Sequence, residues 1–186
     1  MSAMKPEEST GDRPKYTLRA VNGYMKPKHA QSQGLTIVSG GQTGVDRGAL
    51  DAAIALGIPH GGRCPRGRLA EDGRIPSRYR LTESESPLYR VRTEENVLDG
   101  DATLILARDR LTGGTRLTRN LARKHGKPCL VVDLAGDADL ETVRRWLAAH
   151  AVSKLNVAGP RESQSPGIAD AARQFLVELL GEGGNA

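Results

Sequence analysis

The sequence has few aromatic residues: one Trp, one Phe and four Tyr among 186 residues. It therefore lacks the aromatic signature of common RNA-binding modules. Cysteine is equally scarce, since Cys64 and Cys129 provide neither a disulfide framework nor the ligand spacing of a zinc site. No apolar run approaches the about 20 residues that a membrane-spanning helix needs. We therefore expect neither a nucleic-acid partner nor a membrane span.

Glycine, in contrast, is abundant at 22 residues, and Ala, Leu and Val fill the apolar positions. This composition suits an α/β protein with many short turns between strands and helices rather than a β-sandwich. The formal net charge of +5 fits an anionic ligand. Two cysteines without an apolar signal segment predict reduced thiols and a cytoplasmic location.

Hydrophobic periodicity divides the chain into two parts. Residues 1–33 are polar and aperiodic, which predicts a flexible N-terminal tail. Residues 34–181 alternate between buried-strand and helical patterns. The clearest strand patterns are Leu35–Ser39, Ala102–Ala107, Cys129–Asp133 and Leu155–Ala158. The alternation predicts a single Rossmann-like domain, with a doubly wound, mostly parallel sheet and helices on both faces.

The segment GGQTGVDRGALDAA, Gly40 to Ala53, links the first strand pattern to a helical pattern. Glycine tolerates positive φ and close approach to a ligand, and the first turn of a helix has unpaired amides that attract anions. The segment therefore predicts an anion site, most often for phosphate; the alternative is a tight turn without a ligand. The candidate binding residues are Gly40, Gly41, Gln42, Thr43, Gly44, Asp46 and Arg47.

Two later segments repeat this arrangement of strand, glycine turn and helix. LTGGTRLT spans Leu111 to Thr118, and GPRES follows the last strand pattern. Their candidate residues are Gly113, Gly114, Thr115, Thr118, Gly159, Arg161 and Ser163. Because ligands bind beyond the carboxyl ends of parallel strands, we expect all three glycine turns to meet over one crevice.

A long loop rich in Gly, Pro and Arg runs from Gly62 to Tyr79. Loops of this length inside a compact domain are usually functional, although a charged, solvated loop is the alternative. Arg66 in this loop is a further candidate for contact with an anion, and Glu71 and Asp72 lie nearby in sequence.

Read in order, and together with RTEENV from Arg92 to Val97, these motifs resemble the molybdenum-cofactor carrier family. The resemblance spans about residues 35–180. The family belongs to a Rossmann-like group that includes YpsA and the Lonely-guy phosphoribohydrolases. The chain looks circularly permuted relative to those hydrolases, because LNVAGPRES comes last instead of first. The resemblance implies a cytoplasmic homo-oligomer, a dimer or tetramer, that binds molybdenum cofactor (molybdopterin), a pterin bearing a phosphate, with molybdoenzymes as possible partners.

The same comparison bears on catalysis. The related hydrolases carry an arginine and a glutamate, whose positions correspond here to Arg92 and Thr118. Threonine cannot act as a base or carry a negative charge at neutral pH. If the protein is an enzyme, Arg92 and Glu94 are the candidates, and Glu71 is another substitute if the fold brings it close. We expect binding without hydrolysis, and no metal ligands from the protein itself. The alternative is a nucleotide-binding protein or an enzyme like the nucleoside-monophosphate phosphoribohydrolases.

Overall fold

The computed structural model describes residues 34–136 and 138–181. The predicted tail, 1–33, lies outside the described residues. The elements in chain order are β1 (Thr36–Val38), α1 (Val45–Leu56), β2 (His60–Gly61), β3 (Arg63–Cys64), β4 (Leu69–Ala70), β5 (Gly73–Arg74), β6 (Thr82–Glu83), α2 (Tyr89–Asp99), β7 (Ala102–Ala107), α3 (Gly113–Lys124), β8 (Cys129–Asp133), α4 (Leu140–Ala149), β9 (Lys154–Ala158) and α5 (Ile168–Gly181).

Within the described residues, five strands form one parallel sheet in the order β2-β1-β9-β7-β8. If β9 is counted as the first strand, the order becomes 3-2-1-4-5, which is that of a doubly wound Rossmann sheet. The strand that begins such a fold therefore comes last in this sequence. The predicted fold class is confirmed.

Side chains that alternate along the strands build a core on each face of the sheet. The larger core packs Leu104 and Leu155 against α1, α4 and α5. The opposite face carries α2 and α3, which meet through Val97, Leu121 and Ala122. Helices thus cover both faces, and the carboxyl ends of the parallel strands share one edge.

The long loop contains short strands that its sequence did not predict. In the described loop, β3 pairs with β6 in parallel, and β4 pairs with β5 as an antiparallel hairpin. Within the weakly alternating segment Tyr79–Glu83, the strand covers only Thr82–Glu83. The Arg68 guanidinium fixes the base of the loop, because it donates hydrogen bonds to main-chain carbonyls there. These carbonyls belong to Ile75, Pro76, Tyr79 and Leu81.

None of the helices that the structure describes is long and apolar enough to cross a membrane.

Candidate functional site

The loops that follow β1, β7 and β9 lie side by side at the carboxyl edge of the sheet. We call them the first loop (residues 40–44), the second loop (108–112) and the third loop (159–167). The first and third loops are joined directly, since the Val45 amide donates to the Pro160 carbonyl at 3.2 Å. The predicted meeting of these loops at one edge agrees with this geometry.

Further hydrogen bonds join the three loops into one surface, which we call the rim. The Glu162 amide donates to the Thr43 hydroxyl oxygen at 3.3 Å, which is a second link between the third and first loops. The Arg108 guanidinium reaches from the second loop to the carbonyls of Pro166 and Gly167, at 2.9 and 3.2 Å. The three loops therefore act as one connected surface.

Two glycines are required by this packing rather than by a ligand. Gly44 has a φ of 76°, and a Cβ there would lie 2.3 Å from the Pro160 carbonyl oxygen. A Cβ at Gly159 would lie 2.3 Å from the Leu106 carbonyl oxygen. Both distances are far inside van der Waals contact, so any side chain would push the loops apart.

The amides of the first loop are largely satisfied within the protein. The Gln42 amide donates to the Asp46 carboxylate at 3.2 Å, and the Thr43 amide donates to the Gln42 side-chain oxygen at 3.0 Å. The Val45 amide is bound by the Pro160 carbonyl. Since these three donors already have acceptors, this loop offers less to an incoming phosphate than its sequence suggests.

The third loop also supplies hydrogen-bond acceptors to the first amides of the helix that follows it. The Glu162 carboxylate accepts hydrogen bonds from the Gly167 amide and, at 3.1 Å, from the Ala169 amide. These amides form the start of α5, so an acidic side chain already occupies the positive end of that helix.

The start of α3 differs from the starts of α1 and α5. Its first turn contains no acidic residue, whereas those of α1 and α5 contain Asp46 and Asp170. As in α1, the preceding residue, here Thr112, makes no side-chain capping bond. Gly113 and Gly114 are exposed, and Thr115 is buried. Gln164 of the third loop approaches Gly113, where an added Cβ would lie 3.9 Å from its side-chain nitrogen. This uncapped first turn faces the third loop and suits an anion.

A narrow crevice of about 10 Å³, room for about one water molecule, lies beside this rim, between the sheet and α2 and α3. Its lining consists of Gly40, Asp46, Arg92, Thr93, Asn96, Thr118, Asn156, Val157 and Ala158. The Asp46 carboxylate is buried, and its Oδ2 lies 3.5 Å from Arg92 Nη1. Gly40 makes room for this pair, since a Cβ there would lie 1.8 Å from Arg92 Nη1. Desolvation raises the pKa of Asp46, although the charge of Arg92 opposes that shift.

The crevice has Thr118 where the related hydrolases carry glutamate. The Thr118 hydroxyl donates to the Gly114 carbonyl at 3.0 Å, within its own helix. Glu94 is not brought to the crevice. Its carboxylate accepts hydrogen bonds from Lys124 and His125, at the opposite end of α3 from Gly114. Hydrogen bonds from these two side chains lower the pKa of Glu94.

The predicted arginines occupy different surroundings. Arg47 forms an ion pair with Asp72 and donates to the Gly41 carbonyl, so its guanidinium is already engaged. Arg66 is exposed on the loop between β3 and β4. Arg161 lies on the rim, with its guanidinium carbon 5.2 Å from the centre of the Tyr89 ring.

Tyr89 is a site residue that the sequence reasoning missed. The Arg92 guanidinium also lies over its ring, at 5.9 Å, and Tyr89 is 41% exposed. The sequence signal was weak: one aromatic residue three positions before Arg92, which places both on the same side of a helix.

The described parts of the chain contain no cluster of three or more His, Cys, Asp or Glu side chains that could hold a metal ion.

Comparisons with known proteins identify the family. The circularly permutated YpsA SLOG family matches residues 37–180. The chain belongs to this family. A crystal structure from Syntrophus aciditrophicus, provisionally named a molybdenum carrier protein, is 45% identical, has a TM-score of 0.74, and is matched over 79% of this chain and 95% of that chain. Among curated proteins, none is significantly similar. The strand order of this chain and the late position of β9 agree with a circular permutation.

Proposed function

We propose that this protein binds a phosphate-bearing small molecule, the molybdenum cofactor, and holds it as a carrier or storage protein. The observation that carries the proposal is the uncapped first turn of α3, which opens onto the third loop. The name of the Syntrophus aciditrophicus relative supports a role connected with molybdenum.

The proposed phosphate position follows from the sheet order. In a doubly wound sheet, ligands bind beyond the carboxyl ends at the point where the strand order reverses. Here that point lies between β9 and β7, and the loops that follow these strands are the third and second loops. The phosphate oxygens would accept hydrogen bonds from the amides of Gly114 and Thr115. The charges of Arg108 and Arg161 would favour the same anion.

The pterin ring of the cofactor would lie nearer to α2 than the phosphate does. A flat heterocycle needs an aromatic or planar surface and a few polar partners. Tyr89 and Arg161 supply a planar surface on the rim. Asp46 and Asn156 supply a carboxylate and an amide in the crevice beside it. Because the crevice of about 10 Å³ has room for only a water-sized group, the ring itself would lie at its mouth.

We further propose that binding is not followed by hydrolysis of a glycosidic bond. Thr118 provides no carboxylate, and Glu94 is held by Lys124 and His125. The alternative is a nucleotide-binding protein or a phosphoribohydrolase, because amides at a helix start bind the phosphate of a nucleotide equally well. Incubation with nucleoside monophosphates distinguishes these functions: release of free base that depends on Arg92 would support the hydrolase.

The proposal includes the cellular setting that the family resemblance implies. The protein would act in the cytoplasm as a homo-oligomer, a dimer or a tetramer, and would deliver its cargo to molybdoenzymes. Size-exclusion chromatography with light scattering tests the oligomeric state.

The direct test is protection of isolated molybdenum cofactor. The cofactor would be incubated with or without the protein and then used to activate a cofactor-free molybdoenzyme. The proposal predicts that more activating cofactor survives when the protein is present. Equal losses with this protein and with an unrelated protein at the same concentration would contradict it.

A further inference from the structure

The β4–β5 hairpin places the carboxylate of Glu71 on the rim. This carboxylate accepts hydrogen bonds from the Thr43 hydroxyl, from the Ser163 amide at 3.2 Å and from the Ser163 hydroxyl at 2.5 Å. Arg161 adds a positive charge nearby. Hydroxyl, amide and guanidinium donors around one carboxylate are the same groups that proteins place around a bound oxyanion.

Polar contacts attach the tip of the hairpin to the rest of the domain. The Glu71 amide donates to the Gln42 side-chain oxygen at 2.9 Å, and Asp72 pairs with Arg47. Leu69 is 56% exposed, so the tip buries little apolar surface. The base, in contrast, is fixed by the hydrogen bonds of Arg68. A tip with polar contacts on a fixed base can move without disturbing the core.

We propose that residues 69–74 form a lid and that Glu71 occupies an oxyanion seat. The seat consists of Thr43, Ser163 and Arg161, and an anionic group of the ligand takes it when the lid opens. The identity of that ligand rests on the function proposed above. The seat itself lies on the first and third loops and is separate from the amides of α3.

The charge of Glu71 makes it a competitor for this seat. Desolvation raises the pKa of its carboxyl group, but hydrogen bonds from Ser163 and Thr43 and the charge of Arg161 outweigh that effect and lower the pKa below the usual 4.5. Glu71 is therefore ionised at neutral pH. The Glu71 side chain is tethered to the lid, so its effective concentration at the seat is on the order of millimolar. It therefore reduces the fraction of protein molecules whose seat can accept an anion.

The test is calorimetric titration of inorganic phosphate into the full-length protein and its Glu71→Gln variant. Glutamine has nearly the same shape without the charge, so we expect phosphate to bind about tenfold more tightly to the variant. Glu85→Gln is the matched control, because it removes one charge from another exposed position. Unchanged or weaker binding by Glu71→Gln, or an equal gain in Glu85→Gln, would overturn the proposal.

Two further variants separate the seat from the phosphate position on α3. Ser163→Ala combined with Glu71→Gln should lose most of the gain, since it removes a donor of the seat. Gly114→Asp combined with Glu71→Gln should keep the gain, because the carboxylate at Gly114 blocks only the α3 amides. A gain that vanishes with Gly114→Asp contradicts a separate seat. A gain that persists while the wild type fails to protect molybdenum cofactor contradicts the proposed function alone.

Amide hydrogen exchange tests the movement. Phosphate added to the wild type should speed the exchange of residues 69–74 several-fold, and Glu71→Gln should show fast exchange without phosphate. Slower exchange on phosphate addition would contradict an opening lid.

Discussion

Replacement of Gly114 by aspartate should weaken anion binding without lowering the stability of the fold. Gly114 is the second residue of α3 and is exposed, and an added Cβ meets no atom within 4 Å. A side chain at this position therefore creates no steric conflict. Alanine there should stabilise the helix by about 0.5–1 kcal/mol because it lowers the conformational entropy of the unfolded chain. Aspartate should gain about 0.3–1 kcal/mol from its charge in the first turn.

The same carboxylate should oppose a phosphate bound at the α3 amides. Two unit charges about 4 Å apart interact with about 1 kcal/mol in bulk water and about 4 kcal/mol at the effective dielectric near a protein surface. Because Gly114 is exposed, we expect a cost toward the lower end, about 1.4 kcal/mol or somewhat more. This corresponds to about tenfold weaker binding.

Thermal unfolding and phosphate titration of wild type, Gly114→Ala and Gly114→Asp provide the assay. Both variants should unfold at or above the wild-type temperature, with a gain of about 2–4 °C for each 1 kcal/mol. The alanine variant should bind phosphate like the wild type, and the aspartate variant should bind it about tenfold more weakly. Glu71 is kept in all three proteins, because its carboxylate occupies the seat at Thr43 and Ser163 and so limits phosphate binding there. Wild-type affinity in Gly114→Asp would refute a phosphate position at the start of α3.

Other predictions concern the rim, the buried ion pair and the lid. Gly44→Ala should destabilise the protein by more than about 3 kcal/mol in urea unfolding, because it combines the cost of a positive φ with a steric clash. Gly57→Ala is the control: Gly57 has a φ of 68° but no atom within 4 Å of an added Cβ, so the change should cost only about 1–2 kcal/mol. Similar losses of stability in the two variants would contradict the packing described. Arg92→Met should cost about 3–5 kcal/mol because it leaves the buried Asp46 carboxylate without a counter-ion, and adding Asp46→Asn should restore most of this stability. No recovery of stability in the double variant would show that the ion pair is not the cause. The contribution of ionised Glu71 to lid closure should be complete above pH 4.5 and lost as the pH falls through its lowered folded pKa. In hydrogen exchange corrected for intrinsic rates, the lid of the wild type should therefore lose its protection in acid, whereas the lid of Glu71→Gln should show no such change. A pH-dependent loss of protection in both proteins would contradict this role.

The large elements could be predicted because local sequence determines them. The run Ala102–Ala107 is apolar except for Thr103 and is fully buried in the sheet, as expected for a central parallel strand. Gly57, which follows α1, adopts the left-handed conformation that caps the helix, a position where glycine is common. These features depend on residues within a few positions of one another, so the sequence pattern was sufficient.

The details of the site depend on contacts between distant parts of the chain. The sequence of the first loop predicts a phosphate site, but the Pro160 carbonyl of the third loop binds the Val45 amide beside it, and no local pattern indicates that contact. Glu71 reaches Ser163, which is 92 positions away. Tyr89 acquires its role from Arg161 on the third loop. Such pairings follow from the topology of the whole sheet rather than from a motif.

A crystal structure of the protein with bound molybdenum cofactor tests the central claim most directly. The account predicts phosphate oxygens within about 2.7–3.2 Å of the Gly114 and Thr115 amide nitrogens, which is hydrogen-bonding distance. It also predicts the pterin ring beside Tyr89. A cofactor whose phosphate lies at the opposite edge of the sheet, or away from the start of α3, would contradict it.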